Sequence, residues 1–370
     1  LSFSERIAGI LYMRDPGFLW RTIGWLLAPL GWLYGAAMRL RAARYAGGHA
    51  TVYQAPCPVI CVGNLTLGGT GKTPVTIFLA RALQQRGRRV AVLSRGYRGS
   101  LAGQTTVVSA GETPLLSAAQ AGDEPVLLAS ALPGVPVIIG AKRAAAAQLA
   151  VEKYGCDALL CDDAFSHLAL RRTVDVVLVH GRDGLGNGRC TPAGPLREPP
   201  AALQRATVIV LNNTAGEDPR TETEVRHAGY HGEILRLRYA GVAWRNLRTG
   251  ATVDPGMLSD PRVVAFAATA RPQQVFKTFA DSGMAIARTV AYRDHHAYTD
   301  ADLAQLAKLA AQDGICYLAT TEKDAVKLPS EPPTGTTVLV ASLELAGEAD
   351  SLTRLIDIVE ERCWPNQPSF

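Results

Sequence analysis

Gly68, Gly69, Thr70, Gly71, Lys72 and Thr73 stand in one unbroken run inside VGNLTLGGTGKTP, Val62 to Pro74. Residues of these types in this order suit phosphate. Glycines let backbone N–H groups approach an anion closely, the lysine brings positive charge to β- and γ-phosphates, and the threonine hydroxyl is a magnesium ligand. The pattern G-x-x-x-x-G-K-[ST] lacks its first glycine here, because Thr66 stands in that place. Gly68 and Gly69 supply the lost freedom to turn. Further on, DALLCDDAF (Asp157 to Phe165) is an apolar run closing on Asp162 and Asp163. A carboxylate at the end of such a strand holds magnesium directly or through water in phosphate-loop enzymes; the same pair would otherwise serve only as a helix cap.

These residues work only if strand, turn and helix position them. PVICVGN (Pro58 to Asn64) reads as a buried strand and TPVTIFLARALQQRG (Thr73 to Gly87) as a helix ending at glycine, so the loop falls between them. RRVAVLSRGY, VPVIIG, VDVVLVH and ATVIVLN repeat the strand rhythm. Continuous apolar runs alternating with helices predict an α/β fold, a phosphate-loop NTPase-like parallel sheet covered by helices. Ligands then gather at the carboxyl ends of the strands, where Arg95, Tyr97, Asp162 and Asp163 lie. From about His231 the pattern changes. EILRLRYAGVAWRNLRTG reads as short antiparallel strands, followed by VVAFAA, a helix, a strand, RDHHAY, the helix TDADLAQLAKLAAQDG and the strand ICYLATTEKD. Thr299 and Asp302 form a capping-box start to that last helix. The expected organisation is an arm (1–50), a phosphate-loop domain (51–230) and a smaller α/β domain (231–370) that closes over the first.

Composition sets bounds on partners. With 370 residues, 48% hydrophobic and 19% charged, the chain is globular and long enough for two domains. The seven cysteines, Cys57, Cys61, Cys156, Cys161, Cys190, Cys316 and Cys363, form no C-x-x-C pair, which fits a reducing compartment and thiols used as small core residues. Six arginines (Arg6, Arg14, Arg21, Arg39, Arg41, Arg44) against Glu5 and Asp15 give the first fifty residues +4 of the net +5. The body is nearly neutral, so nucleic acid is not an expected partner and the arm is the place that meets an anionic surface. Thr22 to Met38, TIGWLLAPLGWLYGAAM, is uncharged for 17 residues, and Trp20, Trp25 and Trp32 lie in or beside it. Pro29 and three glycines interrupt it, and a span needs about 20 apolar residues. A membrane-interface helix with Phe18, Trp25 and Trp32 on its lipid face is the expectation; the alternative is a helix packed on the protein's own core.

Taken in order, GNLTLGGTGKTP (63–74), SRGY (94–97), GDEP (122–125), DDAFSH (162–167), GNG with PAGPLREP (186–188, 192–199), RDHHAY (293–298) and TEKDAVK (321–327) resemble the tetraacyldisaccharide 4'-kinase family of lipid A biosynthesis. The resemblance covers roughly Pro56 to Leu328, and its loop also carries the Thr66 variant. It implies transfer of the ATP γ-phosphoryl group to the 4'-hydroxyl of a tetraacyldisaccharide 1-phosphate, giving lipid IVA, with Mg2+. It also implies a place on the cytoplasmic face of the bacterial inner membrane; no obligate protein partner is evident in the sequence. Carried onto this sequence, Lys72, Asp123 and His295 are the catalytic candidates, with His295 favoured over His296. Gly68, Gly69, Thr70, Gly71, Lys72 and Thr73 would hold the nucleotide, and Thr73, Asp162 and Asp163 the metal. Arg95, Tyr97, Arg143, Arg197 and Glu198 would meet the lipid substrate, Glu198 by orienting Arg197. Ser166 in DDAFSH, Arg98 after SRGY, and AATARP (267–272) depart from the family's usual residues, all on the acceptor side.

A second class fits the loop alone: a phosphate-loop GTPase or metallochaperone-like ATPase that switches conformation on hydrolysis. TEKD (321–324) distantly resembles the N-K-x-D guanine reader, but it lies far beyond the first domain.

Overall fold

The computed structural model describes residues 18–212, 218–269, 271–329, 336–347 and 350–366. Side chains are described from Thr22 onward, so Arg6, Arg14, Arg21, Phe18 and Trp20 of the arm, and Ala270 of AATARP, lie outside the described side chains. The strands are β1 (Val59–Asn64), β2 (Val90–Ser94), β3 (Thr106–Ala110), β4 (Pro136–Ile139), β5 (Ala158–Asp162), β6 (Val174–His180), β7 (Val208–Asn212), β8 (Glu233–Asn246), β9 (Thr252–Val253), β10 (Arg262–Ala267), β11 (Ala285–Ala291), β12 (Tyr317–Thr321) and β13 (Thr337–Gly347). The helices that matter to the site are α1 (Phe18–Ala46), α2 (Lys72–Gln85), α3 (Ala118–Ala121), α4 (Asp123–Ala131), α5 (Arg143–Tyr154), α6 (Arg220–His227), α7 (Pro272–Asp281), α8 (Asp300–Gln312), α9 (Glu322–Ala325) and α10 (Ser351–Cys363).

β1 lies between β5 and β6, parallel to both, and β2, β4 and β7 extend the parallel set. Alternate residues of β1 explain why both faces are covered: Ile60 and Val62 join the cluster of Val75, Leu79 and Leu83 from α2, while Val59 and Cys61 join that of Ala146 and Ala150 from α5. Each strand then delivers its C-terminal residue to the same rim.

The second half differs from the expectation of several short antiparallel strands. EILRLRYAGVAWRN is a single 14-residue strand, β8, because alternating residues pack on both sides and no proline or tight-turn pair interrupts it. Its first residues pair parallel with β7 (Val208↔Glu233 to Asn212↔Leu237), and from Leu237 to Asn246 it runs antiparallel to β13. The sheet is therefore continuous, in the order β11-β10-β12-β13-β8-β7-β6-β1-β5-β2-β4-β3, and β8, which begins just after residue 230, pairs with strands of both halves. Gly241 and Tyr239 face consecutive residues Glu344 and Leu345 of β13, so β8 carries one extra residue there, a β-bulge. Helix α10 returns to the first half, where Leu355, Ile358 and Val359 pack with Val75 and Leu79.

Helix α1 is helical through Pro29. Its small residues Gly24, Ala28, Gly31 and Gly35 are buried, and a Cβ at Gly31 would lie 2.8 Å from the carbonyl oxygen of Cys190 and 3.0 Å from Ala193. Glycine is what lets the helix sit this close to the 190–199 loop. The opposite side exposes Trp25 (63%), Leu26, Leu30, Trp32 (71%) and Leu33. The helix thus docks through a glycine stripe and keeps its large apolar side chains outward. No helix among the described residues is long and apolar enough to cross a membrane.

Candidate active site

The loop after β1 answers the question posed by Thr66. Instead of turning on a glycine, Thr66 makes an antiparallel bridge with Leu196, while Leu67 N donates to Pro195 O (2.7 Å) and Arg197 N to Leu65 O (2.9 Å). An extended residue fits there as well as any other. The turn itself is made by Gly68 (φ 102°) and Gly71 (φ 78°), left-handed conformations that cost a residue with a Cβ. Gly71 has a second constraint, since a Cβ there would overlap Asn212 Nδ2 and Tyr239 Oη. Asn212 Nδ2 donates to Thr70 O (2.8 Å) and to Tyr239 Oη (3.0 Å), so the end of β7 and the middle of β8 brace the loop. Lys72 opens α2, with Thr73 behind it. Thr70 Oγ1 and Asn64 Oδ1 are buried with no hydrogen-bond partner among the described residues.

Asp162 and Asp163 have different surroundings. Asp162 is buried at the end of β5; Thr76 Oγ1 donates to its Oδ1 (3.2 Å) and Oδ2 has no partner. Burial, followed by the charge of Glu124 and opposed by Lys72, pushes its carboxyl up to about 7. An orphaned buried carboxylate oxygen beside a lysine and a helix start fits a cation. Asp163, in a left-handed conformation (φ 51°), accepts from Arg197 Nη1 at 2.7 and 2.9 Å and lies 3.7 Å from Lys72 Nζ. Burial opposes its ionisation, but Lys72 and Arg197 outweigh that and hold it below the usual carboxylate range. Of the pair, Asp162 has the unsatisfied oxygen, whereas Asp163 is tied to two cations. Among the described residues no group of three or more His, Cys, Asp and Glu gathers as a protein-only metal cage, so a cation here would draw ligands from phosphate and water as well.

Asp123 is the first residue of α4, after Gly122 (φ 93°), where a Cβ would press on Tyr97 O at 2.5 Å. GDEP and SRGY are thus packed together. From the second half His295, itself left-handed (φ 61°), places Nδ1 2.8 Å from Asp123 Oδ2. Burial would raise the Asp123 carboxyl; the His295 hydrogen bond and the charges of Lys327, His295 and Lys323 hold it below its ordinary value instead. His296 turns the other way, stacking on Tyr292 (4.7 Å, 17°) with Nε2 3.0 Å from Asp302, the N3 partner of Thr299 in the capping box of α8. The sequence had no signal to separate the two histidines beyond motif position, and it missed Lys323 and Lys327, which converge on the same carboxylate–imidazole pair.

Of the residues assigned to the acceptor, Arg95 and Tyr97 are exposed at the rim and Arg143 is buried at the start of α5, with Nη1 on Gly140 O. Arg143, Arg172, Arg41 and Arg95 lie near His167; burial first, and then these charges, lower that imidazole to about 4 and keep it neutral. One assignment needs correction. Glu198 does not orient Arg197: it is buried and paired with Arg205 (3.0 Å), leaving Arg197 to Asp163. The chain bends at both Arg197 and Glu198, which turns the two side chains to different partners. Ser166 contributes its carbonyl, accepting from Arg41 Nη1 (3.0 Å) and joining α1 to the site. The TEKD segment is no base reader, since Asp324 is fully buried, with Oδ1 2.7 Å from Lys327 Nζ and Oδ2 accepting from Ala268 N (3.1 Å).

A family model described as Tetraacyldisaccharide-1-P 4'-kinase matches residues 23–360. The chain belongs to this family. It is 45% identical over 305 residues to the tetraacyldisaccharide 4'-kinase of Geobacter metallireducens, covering 82% of this chain and 88% of that one. The Geobacter sulfurreducens enzyme is 43% identical over 323 residues, covering 85% and 87%. Among solved structures, LpxK from Aquifex aeolicus in complex with ATP superimposes with a TM-score of 0.74 at 28% identity, over 92% of this chain and all of that one. Family membership accounts for the joint presence of loop, acidic strand end and Asp–His contact better than a switch GTPase does, which the burial of Asp324 also disfavours.

Proposed function

We propose that the protein transfers the γ-phosphoryl group of ATP to the 4'-hydroxyl of a tetraacyldisaccharide 1-phosphate, with Asp123 as proton acceptor. The observation that carries the reading is the 2.8 Å contact between Asp123 Oδ2 and His295 Nδ1, which joins one half to the other at the rim where the phosphate loop lies. Loop N–H groups from Gly68 to Thr73 bind the phosphates, and Lys72 meets the charge of the transferring group. Thr73 and Asp162 would hold Mg2+, which when bound neutralises charge on the phosphate oxygens. Asp123 takes the proton as the hydroxyl O–H bond breaks and the new O–P bond forms, and ADP leaves when the β–γ bridge breaks. Arg197 and Arg143 are positioned by Asp163 and Gly140 to bias the rim toward anionic substrate groups.

The lipid acceptor remains in a bilayer, so the enzyme must approach it. The outward face of α1, with Trp25, Leu26, Leu30, Trp32 and Leu33, and the arginines Arg39 and Arg44 after it suit an interfacial position on anionic lipid, on the cytoplasmic side where ATP is available.

The test is transfer of radiolabelled γ-phosphate to tetraacyldisaccharide 1-phosphate in detergent micelles, using the wild type, Lys72→Ala and Asp123→Ala. Label should pass to the lipid with wild type and fall by about 10² to 10⁴-fold with Asp123→Ala. Release of label only as inorganic phosphate would favour a switch ATPase instead.

A further inference from the structure

TEKDAVK puts two lysines on either side of the Asp123–His295 pair, and the phosphoryl-transfer scheme above leaves both without a task. Lys323, in the short helix α9, lies with Nζ 3.3 Å from His295 Nε2 and 3.6 Å from Asp294 Oδ1. Lys327 lies on the opposite side, with Nζ 4.0 Å from Asp123 Oδ2, 2.7 Å from Asp324 Oδ1, and 5.0 Å above the Tyr298 ring.

An ammonium group has only protons to offer and no lone pair. A contact between Lys323 Nζ and His295 Nε2 is therefore a hydrogen bond only if Nε2 is unprotonated and accepts. The imidazole proton then sits on Nδ1, where Asp123 Oδ2 is 2.8 Å away and accepts it. The other tautomer would set an Nε2–H against the ammonium and present two facing lone-pair sites at Asp123. Asp294 does not relieve that arrangement, since its Oδ2 is 3.8 Å from Nε2, beyond hydrogen-bond reach. The left-handed backbone of His295 (φ 61°) holds the ring between the two partners at the expense of local strain, a combination that marks an over-determined position.

We infer that Lys323 is a positioning residue that fixes His295 as the neutral Nδ1–H tautomer. The consequence for the chemistry is directional. Asp123 spends Oδ2 on the imidazole N–H and keeps Oδ1 for the acceptor hydroxyl, whose proton it takes. Lys327, anchored by Asp324, steadies the same carboxylate from the far side. The inference rests on Asp123 being the proton acceptor, so the experiment reads the tautomer separately from activity.

The full chain labelled with ¹⁵N-histidine is examined by long-range ¹H–¹⁵N correlation, with His295→Gln used to assign the signals. Wild type should give the pattern of a neutral ring protonated on Nδ1. Lys323→Met should move His295 toward the Nε2–H form or a mixture, and Lys323→Arg should restore the wild-type pattern. Alongside, Lys323→Met should lower kcat about tenfold without changing the KM for ATP, a fraction of the 10² to 10⁴ that a base supplies, while Lys323→Arg stays within about threefold. Lys323 is a partly exposed surface side chain, 27% accessible, and equal melting temperatures would exclude misfolding as the cause. An Nε2–H ring in wild type, or an unchanged ring in Lys323→Met, overturns the inference. If the tautomer behaves as stated while Asp123→Ala retains full transfer, the base assignment alone fails.

Discussion

Asn in place of Asp162 should make the nucleotide-free protein more stable at high pH while destroying its response to MgATP. Asp162 is fully buried with one oxygen lacking a partner, and its carboxyl is carried from an ordinary 3.8 up to about 7. Because the folded value is the higher one, the folded state holds the proton more tightly than the unfolded chain does. That contribution is fully present below about pH 4 and is lost as the pH rises to about 7. Between pH 5 and pH 7 the loss amounts to about 1.4 kcal/mol per pH unit, or about 3 kcal/mol, and beyond pH 7 it levels off. Asp162→Asn has no such titration. Its amide leaves two N–H donors without partners, which costs about 1–2 kcal/mol at any pH, so the difference between pH 5 and pH 8 isolates the carboxylate. With unfolding entropy near 2.1 cal/mol/K per residue, the 370 residues convert about 3 kcal/mol into a change of about 4 °C. Thermal melts of both proteins at the two pH values, with and without MgATP, provide the measurement. The mutant's melting temperature relative to wild type should rise by about 4 °C from pH 5 to pH 8, and MgATP should stabilise only wild type. A mutant–wild-type difference equal at both pH values would refute the reasoning that desolvation dominates at Asp162.

Three further outcomes are expected. Gly71→Ala forces a Cβ against Asn212 and Tyr239 at φ 78°, so the KM for ATP in the transfer assay should rise at least about tenfold with the fold retained by circular dichroism. His296→Ala removes the bond to the cap of α8 and should cost about 1 kcal/mol in denaturant unfolding while leaving kcat within about threefold; a loss of kcat larger than that of His295→Ala would exchange their roles. The double substitution Trp25→Ser with Trp32→Ser, at positions facing solvent, should reduce co-sedimentation with anionic vesicles about tenfold without changing soluble-phase stability.

The parts of the site that were legible in the sequence are local ones. A strand, a glycine turn and a helix in succession predict the phosphate loop from Val59 to Gln85, and the paired acids at the end of DALLCDD follow the same logic. The capping box of Thr299 and Asp302 was readable for the same reason, since its partners are three residues apart. What could not be read depends on contacts between distant segments. Nothing in EILRLRYAGVAWRN announces that half of it pairs with β7 and the rest with β13. Glu198 adjoins Arg197 in sequence, yet its partner is Arg205, because the chain bends at both residues and sends the side chains apart. Lys323 and Lys327 carry no local signal of a role; the fold brings them to a carboxylate about 200 residues earlier in the chain.

The bulge in β8 gives the molecule a mechanical character that separate lobes on a tether would lack. β8 pairs with the first parallel set at one end and with β13 of the second at the other, so a rotation of one set against the other twists β8 itself. An extra residue beside Tyr239 is where a strand twists most readily. Tyr239 also leans on Gly71 and Asn212, so the phosphate loop rests against the strand beside its bulge. Turning the far end of the sheet by a few degrees would alter the pressure on the nucleotide cradle, and loading the cradle would in turn stiffen the strand.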